Sequence, residues 1–309
     1  MAFPNAAGTV SYSGTFIPEI WSKKLIEKFY DATVLSAISN TDYEGEIRGQ
    51  GDKVKIRTIP SLAINDYKSG QTLVNQRPES NIVELLIDQG KYWSAIIDDV
   101  QEVQADIGQM NMWAQDASEQ MKIAIDSQVL GGIAADVSAE NKGANAGRIS
   151  GNINLGVTGT EVFVDKTNII DKILEMGQVL DEQNRPETGR FMVIPYWATT
   201  LIKSSDLKDA SLTGDGTTPL RNGRIGMIDR FTLYSSNNLR KVTEGNNVAF
   251  DFIGGVKQGL TFASQLTKTE QLRAESTFGD IMRGLQVYGF KVVDPESLVT
   301  GYFSGTNIA

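Results

Sequence analysis

The sequence contains no cysteine and no histidine among its 309 residues. Without cysteine, disulfides and cysteine-based zinc, haem or iron–sulfur sites are excluded. Without histidine, the commonest general base and the commonest metal ligand are missing, so Ser-His-Asp, Cys-His and HExxH chemistry is excluded too. An enzyme would have to use carboxylates, lysine or tyrosine. Composition therefore favours a protein without catalytic residues, metal or cofactor.

Positive charge is also scarce, because 29 Lys and Arg face 38 Asp and Glu, for a formal net charge of −9. Sequence-independent binding of nucleic acid requires a basic surface, so the chain as a whole is not expected to bind nucleic acid. No apolar run approaches the ~18 residues needed to cross a membrane. The first 16 residues lack the basic and apolar regions of a signal peptide. We therefore expect a reducing, non-secretory environment and no membrane contact.

The first 49 residues divide into two parts. Residues 1–16 are small and polar and are interpreted as an extended arm, with a frayed terminus as the alternative. Residues 17–49 are interpreted as a short amphipathic helix followed by a connector.

Residues 53–57 alternate between charged and apolar side chains. This period of two predicts a strand with Lys53, Lys55 and Arg57 on one face. A long polar stretch and a second strand-like region, residues 82–98, follow. Two strand regions around a polar tip predict an extended β-hairpin over residues 50–97 that projects from the body of the molecule.

Residues 98–130 have the clearest helical pattern. Asp98, Asp99 and Glu102 are placed in its first turns, where the helix dipole favours anions, and Gly131-Gly132 is predicted to end it. At 1.5 Å per residue the helix would be about 45–50 Å long. We call it the spine helix; a coiled-coil dimer helix is the alternative interpretation. Its predicted apolar seam steps by three and four residues: Val100, Val103, Ile107, Met110, Ala114, Ala117, Met121 and Ala124.

The rest of the chain predicts a mixed α+β region. A helix is expected near residues 167–182, and a buried strand at 191–194 turns at Pro195 into a short helix. Further strands are expected in three segments: residues 223–239, 247–255 and 284–295.

Candidate motifs for chemistry are weak. Ser205 and Lys208 fit the S-x-x-K pattern, but its companion motifs are missing. Asp98 and Asp99 could suggest a carboxylate pair, yet adjacent residues on a helix do not face each other. A carboxylate-dependent hydrolase therefore remains only a remote alternative.

The order of these elements, together with four stretches, resembles the major capsid proteins of tailed bacteriophages that share the HK97 fold. The similarity extends from about residue 17 to residue 300. The stretches are IPEIWSKKLIEKFYDATVL, IIDDVQEVQAD, NGRIGMIDRFTLYSSNNL and FGDIMRGLQVYGFKVVDPESL.

The resemblance implies an α+β, HK97-like capsid fold with an N-terminal arm, an extended β-hairpin loop, a long spine helix, and peripheral and axial domains. Its parts would be the arm (1–16), the N-terminal helix and connector (17–49), the extended loop (50–97), the spine helix with a peripheral-domain segment (98–160), the mainly axial domain (161–275), and the peripheral-domain return with the C-terminus (276–309).

The resemblance also implies a function: self-assembly into the icosahedral shell that encloses the double-stranded DNA of a tailed phage. The implied partners are copies of the chain in hexamers and pentamers, a portal protein, a separate scaffolding protein and a decoration or cement protein. The shell would be assembled in the bacterial host cytoplasm and found in the virion. An acidic shell suits DNA that is enclosed without specific binding. An encapsulin-like cellular nanocompartment shares the fold and is the nearest alternative.

One inter-subunit contact can be hypothesised from the charges. The basic face of Lys53, Lys55 and Arg57 would lie over the acidic start of the spine helix in a neighbouring copy, formed by Asp98, Asp99, Glu102 and Asp106. A solvated basic face is the alternative. Some relatives join a hairpin lysine covalently to an asparagine of another subunit. Lys68 lies at the predicted tip, but no motif identifies its partner residues, so no cross-link is expected.

Overall fold

The computed structural model describes residues 33–42, 53–57, 60, 62–78, 82–99, 109–205, 226–245, 247–275 and 277–305. The predicted arm and the amphipathic helix that follows it lie outside the described residues. So do Glu102, Asp106 and Lys208, together with the predicted seam positions from Val100 to Ile107.

The described helices and strands alternate irregularly along the chain. The helices are α1 (Leu35–Ile38), α2 (Gln109–Asp136), α3 (Ile169–Glu182) and α4 (Tyr196–Ser204). The strands are β1 (Lys53–Arg57), β2 (Ile82–Leu86), β3 (Gln89–Asp98), β4 (Val162–Val164), β5 (Arg190–Ile194), β6 (Met227–Ile228), β7 (Phe231–Ser235), β8 (Lys241–Glu244), β9 (Asn247–Val256), β10 (Leu260–Arg273), β11 (Gly279–Val292) and β12 (Leu298–Gly305).

The largest sheet has seven strands in the order β4-β12-β9-β5-β7-β6, with β8 paired to β9. Its core includes Met176 and Leu180 of α3, which pack with Phe231, Phe252 and Phe303. The predictions of α3, of the buried strand β5 and of the helix that follows Pro195 are confirmed. Their side-chain periods match the faces that the sheet buries, so local pattern was sufficient to find them.

A second sheet has three antiparallel strands in the order β10-β11-β3, and α2 packs against it. The strand β10 was not predicted. Its outer half is largely exposed and polar, with Lys268, Glu270 and Gln271, and this composition hides the strand from a pattern search.

The spine helix differs from its prediction at both ends. Asp98 is the last residue of β3 and therefore lies in a strand. At the other end, α2 continues through Gly131-Gly132 to Asp136. A Cβ atom on Gly132 would lie 2.8 Å from the ring of Phe290. This glycine therefore allows the helix to approach β11 closely and does not end it.

The predicted apolar seam is also wrong near its end, because Ala124 is exposed. The buried stripe contains the bulkier Ile125, Val129, Leu130 and Ile133, which pack against residues of both larger sheets. The spacing of alanines suggested one face, but the surrounding sheets cover a face displaced from it by about one residue.

The second strand region of the predicted hairpin consists of two strands with different partners. β2 pairs with β1, whereas β3 pairs with β11. The base of the hairpin is fixed to the three-stranded sheet, because Ile56, Leu85 and Ile87 are buried together with Ala263. A Cβ atom on Gly289 of β11 would lie 2.0 Å from the Leu86 carbonyl oxygen, so this contact requires glycine.

The stretch at residues 223–239 forms a small hairpin within its described part. β6 and β7 join at Asp229-Arg230, and Asp229 has a φ of 51°. The Arg230 guanidinium pairs with Asp181, which also lies 2.7 Å from the buried Arg190. A Cβ atom on Gly226 would meet nothing within 4 Å, so no close contact requires glycine at this position.

Candidate assembly surfaces

Nothing in the described part of the chain covers the tip of the extended hairpin. Every described residue from 62 to 78 is exposed. The tip turns at Lys68, whose carbonyl accepts a 3.0 Å hydrogen bond from the Gln71 amide, and its two arms are joined where the Gln76 side chain bonds both backbone polar groups of Ala63. Five large apolar side chains lie on it: Leu62, Ile64, Tyr67, Leu73 and Val74. We call these five residues the tip cluster.

The tip cluster was missed by the sequence interpretation, which treated this stretch as polar. Its apolar residues follow neither a period of two nor one of 3.6. Scattered apolar residues in a segment with no internal core are a signal of a contact surface, and they are the only sign that could have revealed it.

The basic strand lies where it was predicted, with Lys53, Lys55 and Arg57 exposed on one face of β1. The structure adds a partner, since Glu84 of β2 lies on the same face. Its carboxylate is 3.6 Å from the Lys53 Nζ and 3.5 Å from the Lys55 Nζ. The basic row is therefore partly neutralised within the hairpin.

The predicted acidic partners are only partly described. Asp98 is exposed at the end of β3. Asp99 pairs with Arg273 of β10, whose Nη1 also donates a 3.1 Å hydrogen bond to Asp280. These carboxylates raise the pKa of Arg273. The basic strand forms its described ion pairs with Glu84 and not with these acidic residues, so the hypothesised contact between copies stays a prediction.

The three-stranded sheet has an exposed apolar face opposite the spine helix. The registers place Tyr92 beside Leu285 and Ile96 beside Ile281 on this face, and Leu272 continues it on β10. Tyr92 is 81% exposed and Ile96 is 51% exposed. A polar row of Arg283 and Glu270, joined by a 2.6 Å hydrogen bond, crosses the face.

Two places that could suggest catalysis, the cavity beside Asp251 and the hydroxyl of Ser205, are accounted for by contacts within the fold. A cavity of about 300 Å³ lies beside the end of α2. The carboxylate that lines it, Asp251, is 3.2 Å from the Arg240 Nε. Burial raises the pKa of Asp251, and Arg240 opposes that shift. Ser205 is buried and its hydroxyl donates to the Ile202 carbonyl. Among the described residues, neither arrangement supplies a nucleophile with a base or two facing carboxylates; Lys208, the other member of the Ser205 pattern, lies outside them.

The described part of the chain contains no cluster of three or more metal-ligating side chains. Of the helices that the structure describes, none has the length and apolar character needed to span a membrane.

A family model described as phage capsid protein matches residues 84–301. The chain belongs to this family. Three solved structures show the same architecture. The chain is 28% identical to one from Mycobacterium phage Che8, with a TM-score of 0.77 and coverage of 95% of this chain and 98% of that one.

The other two structures are more distant in sequence and support the fold alone. The capsid of cyanophage P-SCSP1u is 15% identical, with a TM-score of 0.72 and coverage of 99% and 100%. The capsid asymmetric unit of cyanophage Pam1 is 11% identical, with a TM-score of 0.72 and coverage of 97% and 100%. No curated protein matches the chain.

The protein is therefore a phage major capsid protein with an α+β, HK97-like fold, as its resemblance predicted. Its place is the capsid of the virion, and it assembles with copies of itself into the shell. The family match and these structures do not favour the nanocompartment alternative.

Proposed function

We propose that this capsid protein forms the icosahedral shell around the double-stranded DNA of a tailed phage, in hexamers and pentamers held together in part by the hairpin tip. The observation that carries this proposal is the tip cluster. Ile64 is 93% exposed and Val74 is 80% exposed, and burial of such a side chain contributes about 1.5–3 kcal/mol. A lone subunit cannot gain this free energy, whereas a neighbouring copy that covers the tip can.

The division into domains follows the sheets in this proposal. The seven-stranded sheet with α3 and α4 forms the axial domain, and the three-stranded sheet with α2 forms the peripheral domain. The strand β10 then belongs to the peripheral domain and β12 to the axial domain, which shifts the boundaries expected from sequence. The extended loop at residues 50–97 and the arm at residues 1–16 join neighbouring copies.

The wider assembly follows the family resemblance. We infer a portal protein at one vertex, a separate scaffolding protein during assembly in the host cytoplasm, and a decoration or cement protein on the finished shell. The net charge of −9 keeps the enclosed DNA free of tight, non-specific binding. The protein acts as a structural subunit and not as an enzyme.

The experiment is assembly of the full chain, with its scaffolding protein, followed by electron microscopy and light scattering. Wild-type protein should form closed shells. The double variant I64D/V74D should fold but require at least about tenfold more protein to assemble, because charges replace apolar contact. Thr72→Asp is the matched control, since Thr72 is an exposed polar residue on the same loop.

Two results would count against this proposal. Wild-type protein that stays a 33.7 kDa monomer under all conditions contradicts shell formation. Normal assembly of I64D/V74D contradicts the role of the tip. Particles that contain protein cargo and no DNA would instead support the nanocompartment alternative.

A further inference from the structure

Asp126 lies in the middle of the spine helix and is only 1% exposed. Its Oδ1 accepts hydrogen bonds from the backbone amides of Val34, at 3.1 Å, and Leu35, at 2.9 Å. Its Oδ2 accepts a 2.8 Å hydrogen bond from the Asn238 side-chain amide. One buried carboxylate therefore connects α2, the start of α1 and the segment between β7 and β8.

No cation pairs with Asp126 among the residues that the structure describes. Residues 33–40 contain no charged side chain. Arg240, two residues beyond Asn238, pairs with Asp251, and Lys122, one helical turn before Asp126, lies 2.6 Å from Glu119. Burial raises the pKa of Asp126, while its three N–H donors act in the opposite direction.

An arrangement of this kind is costly for stability alone. A buried carboxylate loses its hydration, and an apolar side chain of similar size often stabilises a core at least as well. The surroundings would suit one, because Val34, Ile125, Val129 and Leu239 form a common apolar cluster. Stability alone therefore does not explain why this position carries a hydrogen-bonded carboxylate in place of an apolar side chain.

Hydrogen bonds depend on the angle between donor and acceptor, whereas apolar contacts do not. The spine helix belongs to the body built on the three-stranded sheet, whereas Asn238 belongs to the body built on the seven-stranded sheet. Apolar contacts between the two bodies tolerate small rotations. The bonds from Val34, Leu35 and Asn238 weaken steeply when their angles change, so they define one relative orientation.

We propose that Asp126 is a positioning residue for shell assembly, which sets the angle between the spine helix and the seven-stranded sheet through Asn238 and the amides of residues 34 and 35. The proposal rests on the proposed function, since hexamers and pentamers of one chain close into a shell only if each subunit keeps the angle between its two bodies within a narrow range. A subunit with a variable angle would still bind its neighbours, but the errors would accumulate around a ring and prevent closure.

The test is an exchange of the two polar groups in the full chain. D126L removes all three acceptor contacts and keeps the same number and branching of side-chain heavy atoms. N238D places two carboxylates face to face. In the double variant D126N/N238D, the amide introduced on the helix can donate to the carboxylate introduced on the loop, and its oxygen can still accept from the backbone. D136N is the matched control, because Asp136 lies exposed on the same helix and pairs with Lys291.

Two measurements report on the orientation. Hydrogen exchange of the Val34 and Leu35 amides in the unassembled subunit should become about tenfold faster or more in D126L, because both protecting bonds to the carboxylate are lost. It should also become faster in N238D, because repulsion between the two carboxylates displaces Asp126 from these amides. Electron microscopy of assembly mixtures should show open or irregular particles for these variants. The double variant should recover both slow exchange and closed shells, and D136N should match the wild type.

Wild-type exchange and closure in N238D and D126L would overturn the proposal. If D126L does not fold, the comparison of N238D with the double variant tests the proposal. Failure of the double variant to recover closed shells then overturns the proposal. If the wild type forms no shells, the proposed function fails instead. The exchange at Val34 and Leu35 then still shows whether Asp126 holds the two bodies together.

Discussion

Lys55 on β1 lies directly opposite Glu84 on β2, with the Lys55 Nζ 3.5 Å from the Glu84 Oε1. Lys53 approaches the same carboxylate at 3.6 Å. Exposed pairs of this kind contribute only about 0.2–1 kcal/mol each. The single negative charge of Glu84 offsets part of the three positive charges on this face of β1. The remaining positive charge can pair with an acidic surface on a neighbouring copy.

Replacement of Lys53, Lys55 and Arg57 by glutamate should leave the subunit folded, as measured by circular dichroism. It should raise the protein concentration at which shells form, and the increase should be larger at low salt, where screening is weak. The opposite change is Glu84→Gln, which frees Lys53 and Lys55 from their partner within the chain and should lower that concentration.

Light scattering across a series of protein concentrations measures both effects. If the triple variant assembles as the wild type does at low salt, the basic face is merely solvated and the contact with the acidic residues does not form.

Lys68 lies in the exposed turn of the hairpin tip, where the Gln71 side chain accepts a hydrogen bond from its backbone amide. We predict that it forms no covalent link to another subunit. Mature particles boiled in detergent should run as a single band near 33.7 kDa on a denaturing gel. A ladder of multiples that disappears in Lys68→Arg would contradict this prediction.

Gly289 determines how closely the hairpin base approaches the three-stranded sheet. In Gly289→Ala the new Cβ would lie 2.0 Å from the Leu86 carbonyl oxygen, so β2 must move away from β11. We expect a loss of about 1–3 kcal/mol in the free energy of unfolding, as for other overpacked sites, and weaker assembly. Urea denaturation measures the first effect.

Gly90→Ala is the control for this substitution, because Gly90 lies in the neighbouring strand β3 and a Cβ there would meet nothing within 4 Å. Equal stability of the two variants would show that the approach of Leu86 is not limited by the residue at position 289.

The buried Asp126 should make stability depend on pH. Burial raises its folded-state pKa above the ordinary value of 3.8, so the folded protein binds this proton more tightly than the unfolded chain does. The stabilisation by protonation is fully present below about pH 3.8 and is lost as the pH rises through the raised folded-state pKa. Asp126→Asn cannot ionise and should therefore avoid this loss.

Urea denaturation of wild type and Asp126→Asn between about pH 3.5 and 7 measures the difference. We expect the free energy of unfolding of the variant, relative to that of the wild type, to increase as the pH rises towards the raised folded-state pKa of Asp126 and to level off above it. A difference that is independent of pH would show that Asp126 keeps an ordinary pKa in the folded protein.

Elements whose side-chain periods coincide with a buried face could be predicted without a structure. The alternation of residues 53–57 predicted β1, and the spacing of Ile173, Met176 and Leu180 predicted α3. The absence of cysteine and histidine excluded disulfides, cysteine-based metal sites and histidine-dependent catalysis. The order of the elements indicated the capsid family. These features need no knowledge of distant contacts, because periodic patterns, composition and the order of elements do not depend on which segments meet in the fold.

The positions at which strands change partners, and the identity of the buried polar residues, became visible in the folded molecule. Three features depend on segments far away in sequence. β3 separates from β2 because it pairs with β11, and α2 continues through Gly131-Gly132 against Phe290. Asp126 is buried where Asn238 meets it. The same holds for β10, whose polar side chains conceal a strand. A residue's local pattern describes its own element, whereas its burial is determined by whatever the rest of the chain places against it.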